Sequence, residues 1–187
     1  MKSLTVYFIT IVLGVFNASA QRTEAPNVTS KNPQAYMIYV NGSVLFVKVI
    51  EVQNRTADNL YKIINAWTIA TFNSASDVVK RKVEADLIQG VGVEPGIVLY
   101  TFPRVVASLK YVLTMEVENN KICFTMSDMT IITEADKYTL EEYLFDKKGR
   151  EIDDKQTRKV KSHATRIANV LVNSLRVFLV ENSVVSD

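Results

Sequence analysis

The stretch from Tyr111 to Met129 constrains the chain most. Its first arm reads Tyr111-Val-Leu-Thr-Met-Glu-Val117 and its second Ile122-Cys-Phe-Thr-Met-Ser-Asp128. Both alternate apolar and polar residues with period two, the pattern of strands that bury one face. Asn119-Asn120 lies between them, and asparagine tolerates the two positive φ angles that a two-residue type I′ turn requires. That turn sets Val117 opposite Ile122, Met115 opposite Phe124 and Leu113 opposite Met126 on one side. Glu118/Lys121, Glu116/Cys123, Thr114/Thr125 and Val112/Ser127 fall on the other. One side is a core face and the other is wettable. On the wettable side, Thr114, Glu116, Glu118, Lys121 and Thr125 form a candidate interaction face.

The hairpin needs a body to pack against, and the chain is long enough to supply one. It has 187 residues, 48% apolar and 22% charged, which suits a single globular domain. A chain of this size buries roughly 70% of its unfolded surface and needs no staples. Cys123 is the lone cysteine, so no disulfide forms within the chain. A strand-borne cysteine of this kind is expected to be buried as a small hydrophobe.

Residues 1–20 read as a secretory signal peptide. Lys2 supplies the positive start, residues 4–16 the apolar run, and Ala18-Ser19-Ala20 a small-x-small cleavage site before Gln21. The run is short against the ~20 residues of a spanning helix, so no transmembrane helix is expected after cleavage. The residue just after the cleavage site is Gln21 and not cysteine, which argues against a lipoprotein anchor. The expected location is exported, periplasmic or secreted. Without Lys2, 21 Lys+Arg face 20 Asp+Glu, a net charge of +1. That balance gives no global attraction to nucleic acid or acidic lipid.

Residues 21–34 are polar, with Pro26 and Pro33, and read as a flexible leader. A single domain is expected over 35–182. Residues 35–40 form a short strand, Asn41-Gly42 is the strongest short hairpin signal, and 44–52 is the return arm. Thr56 caps a helix with Asp58 in its first turn. Leu60, Ile63, Ile64, Trp67 and Thr71 follow helical spacing, with Trp67 as a core anchor.

Strand arms return at 78–83 and 87–93, with 84–86 as the turn between them. The basic run Lys80-Arg81-Lys82 suits an edge strand that blocks further pairing. Gly90 and Gly92 share a strand face, which points to a bend or the close approach of another element. They are not a phosphate loop, because no helix start follows. Glu94-Pro95-Gly96 reads as a turn into a further strand, 97–102, before Pro103 interrupts. Residues 134–154 are rich in acids and tyrosine and read as a surface excursion. Within it, Thr139-x-x-Glu142 is a capping box for a short helix to about Asp146, with Gly149 near its end. The last helix runs over about 155–181. Val160, Ala164, Ile167, Leu171, Leu175 and Phe178 form its apolar stripe, and Arg158, Lys159, Lys161 and Arg166 a basic flank.

The expected architecture is α+β. A curved antiparallel sheet of about five strands, in the order β-α-β-β-β-β-α, packs against two helices, the longer one C-terminal. This order resembles half of the TATA-binding protein. Local sequence agrees: Asn41-Gly42 followed by Phe46-Val-Lys-Val-Ile-Glu-Val52, then Thr56-Ala-Asp-Asn-Leu-Tyr61, Ala66-Trp67, the charged hairpin over 80–90, the arm 111–117 and Phe124-Thr125. Over residues 40–132 the chain resembles a bacterial, Bacteroides-type family of secreted domains of unknown function with a TBP-like fold. Ala85-Asp86 departs from it at a turn where glycine is expected. The resemblance implies the fold and supplies no catalytic, cofactor or metal residues. A helix-grip barrel is the alternative fold.

Catalysis finds little support. His163 is the only histidine, sits among basic residues and is expected to be exposed, so no Ser-His or Cys-His pair is legible. One Cys and one His fall short of a zinc set. Glu141/Glu142 and Asp153/Asp154 leave carboxylate hydrolysis as the lowest-ranked reading. Nucleic acid is not expected, because a face of Thr114, Glu116, Glu118 and Thr125 is not what a minor-groove reader presents. What remains is a non-catalytic binding or structural module of the bacterial cell envelope, with a protein, a glycan or a small apolar ligand as partner. The alternative is a helix-grip-like carrier of an apolar small molecule, which needs an internal cavity.

Overall fold

The computed structural model describes residues 28–29, 34–72, 81–83, 87–99 and 105–182. The expected signal peptide, most of the leader, Lys80, the 84–86 turn and Pro103 lie outside the described residues. The elements are β1 (Val28–Thr29), β2 (Tyr36–Val40), β3 (Ser43–Val52), α1 (Ala57–Phe72), β4 (Arg81–Val83), β5 (Leu87–Leu99), β6 (Val105–Glu118), β7 (Lys121–Ile132), β8 (Lys137–Thr139), α2 (Leu140–Leu144) and α3 (Lys155–Glu181). The strands form one sheet in the order β1-β3-β7-β6-β5-β4, with β2 beside β3 and β8 beside β7. Every pairing is antiparallel. Four long strands carry the sheet, and short ones extend its margins. The sheet is open, not the barrel of the alternative fold, since β1 and β4 stand at opposite ends of the order. One of the short strands, β1, falls inside the stretch read as a flexible leader. Val28 pairs with Val52 and Thr29 with Glu51, which gives partners to backbone groups at the end of β3.

The register of β6 and β7 is the expected one. Val117 pairs with Ile122, Met115 with Phe124 and Leu113 with Met126, while Glu116 pairs with Cys123 and Thr114 with Thr125. The turn between them departs from type I′. Asn120 has φ +63°, but Asn119 does not adopt positive φ. The reason is a tertiary contact. Asn119 Oδ1 accepts from the Ala57 amide at 2.8 Å and Asn120 Oδ1 from the Arg55 amide at 2.9 Å. The Asn120 amide donates to the Arg55 carbonyl at 2.9 Å. The two asparagines therefore hold the β3–α1 connection and supply a partner to the first helical amide of α1, where helices leave amides unpaired. Thr56 caps the same helix, accepting from the Asn59 amide at 3.3 Å. Asn41-Gly42 takes φ +52° and +81°, the type I′ combination expected there.

Two bulges reset the alternation. In β5, Pro95 pairs with Ser108 and Ile97 with Ala107, leaving Gly96, at φ +99°, as the extra residue. Glu94-Pro95-Gly96 is thus a bulge within one strand and not a turn between two. In β7, Lys110 pairs with Thr130 and Val112 with Ser127, so two residues, Asp128 and Met129, oppose Tyr111. Asp128 has φ +48°. Inward residues of β7 run Ile122, Phe124, Met126 and then Met129, Ile131.

The inner face of the sheet packs against α1 and α3. Leu60, Ile64 and Trp67 of α1, with Val160, Ala164, Leu171 and Leu175 of α3, are all buried. Trp67 is the core anchor that the helical spacing predicted, and its Nε1–H donates to Ser174 Oγ at 3.1 Å, tying α1 to α3. Phe178, placed on the α3 stripe, is only partly buried. The 134–154 segment is exposed along β8, yet α2 plugs Leu140 and Leu144 into the core. Its capping box is complete: the Glu142 amide donates to Thr139 Oγ1 and the Thr139 amide to Glu142 Oε2. The helix ends at Leu144, two residues short of the expected end.

Gly92 lies opposite Tyr111, and a Cβ there would stand 2.2 Å from Tyr111 Cζ. The ring covers the glycine, which is the close approach that the paired glycines implied. Tyr111 is 3% exposed. Burial, and secondarily the Glu94 carboxylate, push its phenol up to about 12. In the unfolded chain a tyrosine titrates near ~10. Between those values the unfolded state releases the proton first, so stability is full below pH ~10 and falls by up to about 2.7 kcal/mol as pH rises to ~12. Tyr111→Phe is expected to leave stability at pH 7 within about 1 kcal/mol and to flatten this alkaline loss. Denaturant melts from pH 8 to 12 measure both; an unchanged slope in the variant contradicts the assignment.

Candidate functional site

No described helix packs on the outer face of the sheet, and the strand parities dictate its side chains. Thr114, Glu116 and Glu118 project there from β6, and Lys121, Cys123 and Thr125 from β7, as the ladder pairs require. Cys123 is therefore half-buried rather than buried; the register that buries Ile122 and Phe124 turns it outward. At the turn end, Lys121 Nζ and Glu118 Oε2 form an exposed ion pair at 2.7 Å, and the Glu118 hydrogen bond raises the lysine's pKa. In the middle of the face, Gln89 Nε2 donates to Thr114 Oγ1 at 3.2 Å. Glu116 and Glu118 border a wide, shallow concavity of about 620 Å³ beside Asn119 and Ala57. Thr114, Lys121 and Thr125 line neither concavity of this face.

Beyond Thr114, a groove of about 490 Å³ opens over β5, β6, β7 and β8. Val91, Val112 and Ile132 supply its apolar surface. Gln89 and Thr130 add neutral polar groups, and Lys110, Lys137 and Asp128 add charge. The β7 bulge shapes it. The extra residue lets Met129 turn inward while Asp128 stays exposed and Thr130 and Ile132 line the groove. Asp128 Oδ2 accepts from Ser127 Oγ at 3.3 Å. Bulges next to binding sites re-aim side chains in this way. The expected interaction face did not include this groove. Its sequence signal is the spacing of three between Met126 and Met129, where strict alternation would give two.

The carboxylate pairs considered for hydrolysis have structural partners. Glu141 Oε1 accepts from the Val44 amide at 2.6 Å, and Glu142 closes the α2 capping box. Asp153 pairs with Arg158. Asp154 caps α3 by accepting from the Thr157 amide at 2.7 Å, and that bond holds its carboxyl below the usual range. His163 was expected to be exposed but is half-buried, with Nε2 buried and, among the described residues, without a hydrogen-bond partner. Burial, then Arg166, lowers its pKa, with Glu94 opposing. It lies on α3, on the far side of the sheet from the groove. Among the described residues no three His, Cys, Asp or Glu side chains gather to hold a metal.

An antiparallel sheet with one face under helices and the other open, ending in a long C-terminal helix, is a TBP-like α+β fold. Residues 46–131 match the model of a family described as a domain of unknown function (DUF4468) with TBP-like fold. Two solved structures share the architecture. A DUF4468 family protein from Bacteroides ovatus superposes with a TM-score of 0.63 at 18% identity, covering 76% of this chain and 90% of that one. A TBP-like protein from Parabacteroides distasonis superposes with a TM-score of 0.56 at 16% identity, covering 80% and 98%. No curated protein matches the sequence.

The bulge has a direct test. At positive φ, asparagine and glycine are tolerated where a β-branched residue is strained. Asp128→Gly and Asp128→Asn are expected to change stability by less than about 0.5 kcal/mol, and Asp128→Val to cost roughly 1–2 kcal/mol. Urea denaturation distinguishes them; equal stability of the valine variant contradicts a left-handed residue at this position.

Proposed function

We propose that this protein is a non-catalytic binding module of the bacterial cell envelope, exported to the periplasm or beyond, and that the groove at the Asp128 bulge is its recognition site. The observation that carries the reading is the placement of that groove. It lies on the face of the sheet that no described helix covers, its ~490 Å³ falls in the range of small-ligand sites, and it combines an apolar floor with a few polar groups. Export rests on the signal-like pattern of residues 1–20. Glycan is the partner class that best suits the lining. Val91, Val112 and Ile132 offer a surface to the C–H face of a sugar, and Gln89, Thr130 and Asp128 offer hydrogen bonds to its hydroxyls. Nucleic acid fits less well, because Asp128, Glu116 and Glu118 oppose Lys110 and Lys137 on the same face. A carrier of apolar molecules would need space within the core, where Phe46, Phe124, Met115 and Trp67 are packed to 1% exposure or less.

Titration of isotopically labelled protein with a panel of envelope glycans, followed by amide NMR, tests the proposal. Shifts are expected to cluster on Gln89, Val91, Lys110, Thr130 and Lys137, and Thr130→Arg is expected to weaken binding at least tenfold. Shifts confined to α1 and α3, or chemical conversion of a ligand during the titration, would contradict it.

A further inference from the structure

The two edges of the sheet are built differently. At one end, β4 carries Arg81 and Lys82, the charged residues with which proteins block edge-to-edge pairing. At the other, β1 and β2 both flank β3, and β2 reads Tyr36-Met-Ile-Tyr-Val40. It has no charge, no proline and no bulge, and among the described residues it pairs on one side only, with β3. Its side chains are unusually open for such a sequence: Tyr36 is 52% exposed, Ile38 37% and Val40 46%. Ile38 pairs with Leu45 and Tyr36 with Val47, so these residues share the outer face with half-buried Leu45 and Val47 and with exposed Val49. The strand is also held in place. Tyr39 stacks on Phe145 with ring centroids 4.0 Å apart, and the Ala35 amide just before it donates to Asn169 Oδ1 at 2.8 Å.

We infer that β2 docks against β2 of a second copy of this chain, antiparallel about a two-fold axis through Ile38, joining two sheets into one. An unpaired strand edge is complementary to another strand, and two-fold symmetry supplies the antiparallel partner. A strand without charge meets itself without repulsion. In this register Tyr36 lies opposite Val40 of the partner subunit and Ile38 opposite Ile38 of the partner subunit, the aromatic and β-branched combinations that stabilise neighbouring strands. The same pairing at β4 would set like charges across from each other. Five residues a side make a small interface, below the ~1,600 Å² of a standard one. The dimer is therefore weak, with a dissociation constant on the order of 10 µM. This inference does not depend on the groove or on its ligand.

Sedimentation velocity across about 1 to 500 µM, bracketing that value, reads the association. A monomer–dimer equilibrium is expected, and Ile38→Lys is expected to be monomeric throughout with an unchanged circular dichroism spectrum. Opposed Cα atoms in an antiparallel pair lie ~4.5–5.5 Å apart, within disulfide range. Ile38→Cys in a Cys123→Ser background is therefore expected to oxidise to a covalent dimer, while Val177→Cys on α3 in the same background is not. The cysteine variant decides the matter if Ile38→Lys fails to fold. A monomer at every concentration, a dimer that survives Ile38→Lys, or a dimer without the Ile38→Cys cross-link overturns the inference. So does exchange protection, in a monomer, of the β2 amides that point away from β3, which would mean that the chain covers its own edge.

Discussion

Val117, Met115 and Leu113 meet Ile122, Phe124 and Met126 across β6 and β7, and none of the six is more than 2% exposed. Each such side chain contributes roughly 1.5–3 kcal/mol on leaving water. A slip of one residue would exchange them for Glu116, Glu118 and Cys123, so the register has no competitor. With that register set, α1 and α3 have a surface to cover. The other face of the same strands stays open. Asn119 and Asn120 then carry the hairpin's position to α1 through the Arg55 and Ala57 amides.

The bulges work within this frame. Each inserts one residue, reverses the parity of the strand beyond it, and keeps apolar residues facing the helices. Gly96 does so in β5 and Asp128 in β7. The cost is a local break in the ladder, and the β7 break coincides with the groove. Residues from four strands converge there because β8 pairs with Thr130, Ile131 and Ile132, just past the bulge. The groove is therefore a consequence of how the sheet corrects its own alternation.

Much of this was legible in the residues. Period-two alternation declared the hairpin and its register, and helical spacing declared Trp67 as an anchor and the stripe of α3. Thr139 and Glu142 declared α2. What stayed hidden depends on distant contacts. The turn type at Asn119-Asn120 is decided by amides more than 60 residues earlier. Glu94-Pro95-Gly96 carries the residues of a turn, and only the uninterrupted partner strand β6 shows it to be a bulge. Val28–Thr29 has no signature beyond two β-favouring residues, and its pairing follows from the ladder that β3 leaves open. His163 lies in a basic run, yet the packing of α3 half-buries it. The groove was missed because the expected interaction face followed strict alternation, and its lining begins where alternation fails.

One face of β7 is core, the other is wet, and the phase changes at Asp128. Single cysteines placed in turn at 121–132, in a chain otherwise free of cysteine, can be alkylated under native conditions. Reaction is expected at 121, 123, 125, 127, 128, 130 and 132, and protection at 122, 124, 126, 129 and 131. Unbroken alternation through 128 and 129, or protection of the outward set, would contradict it.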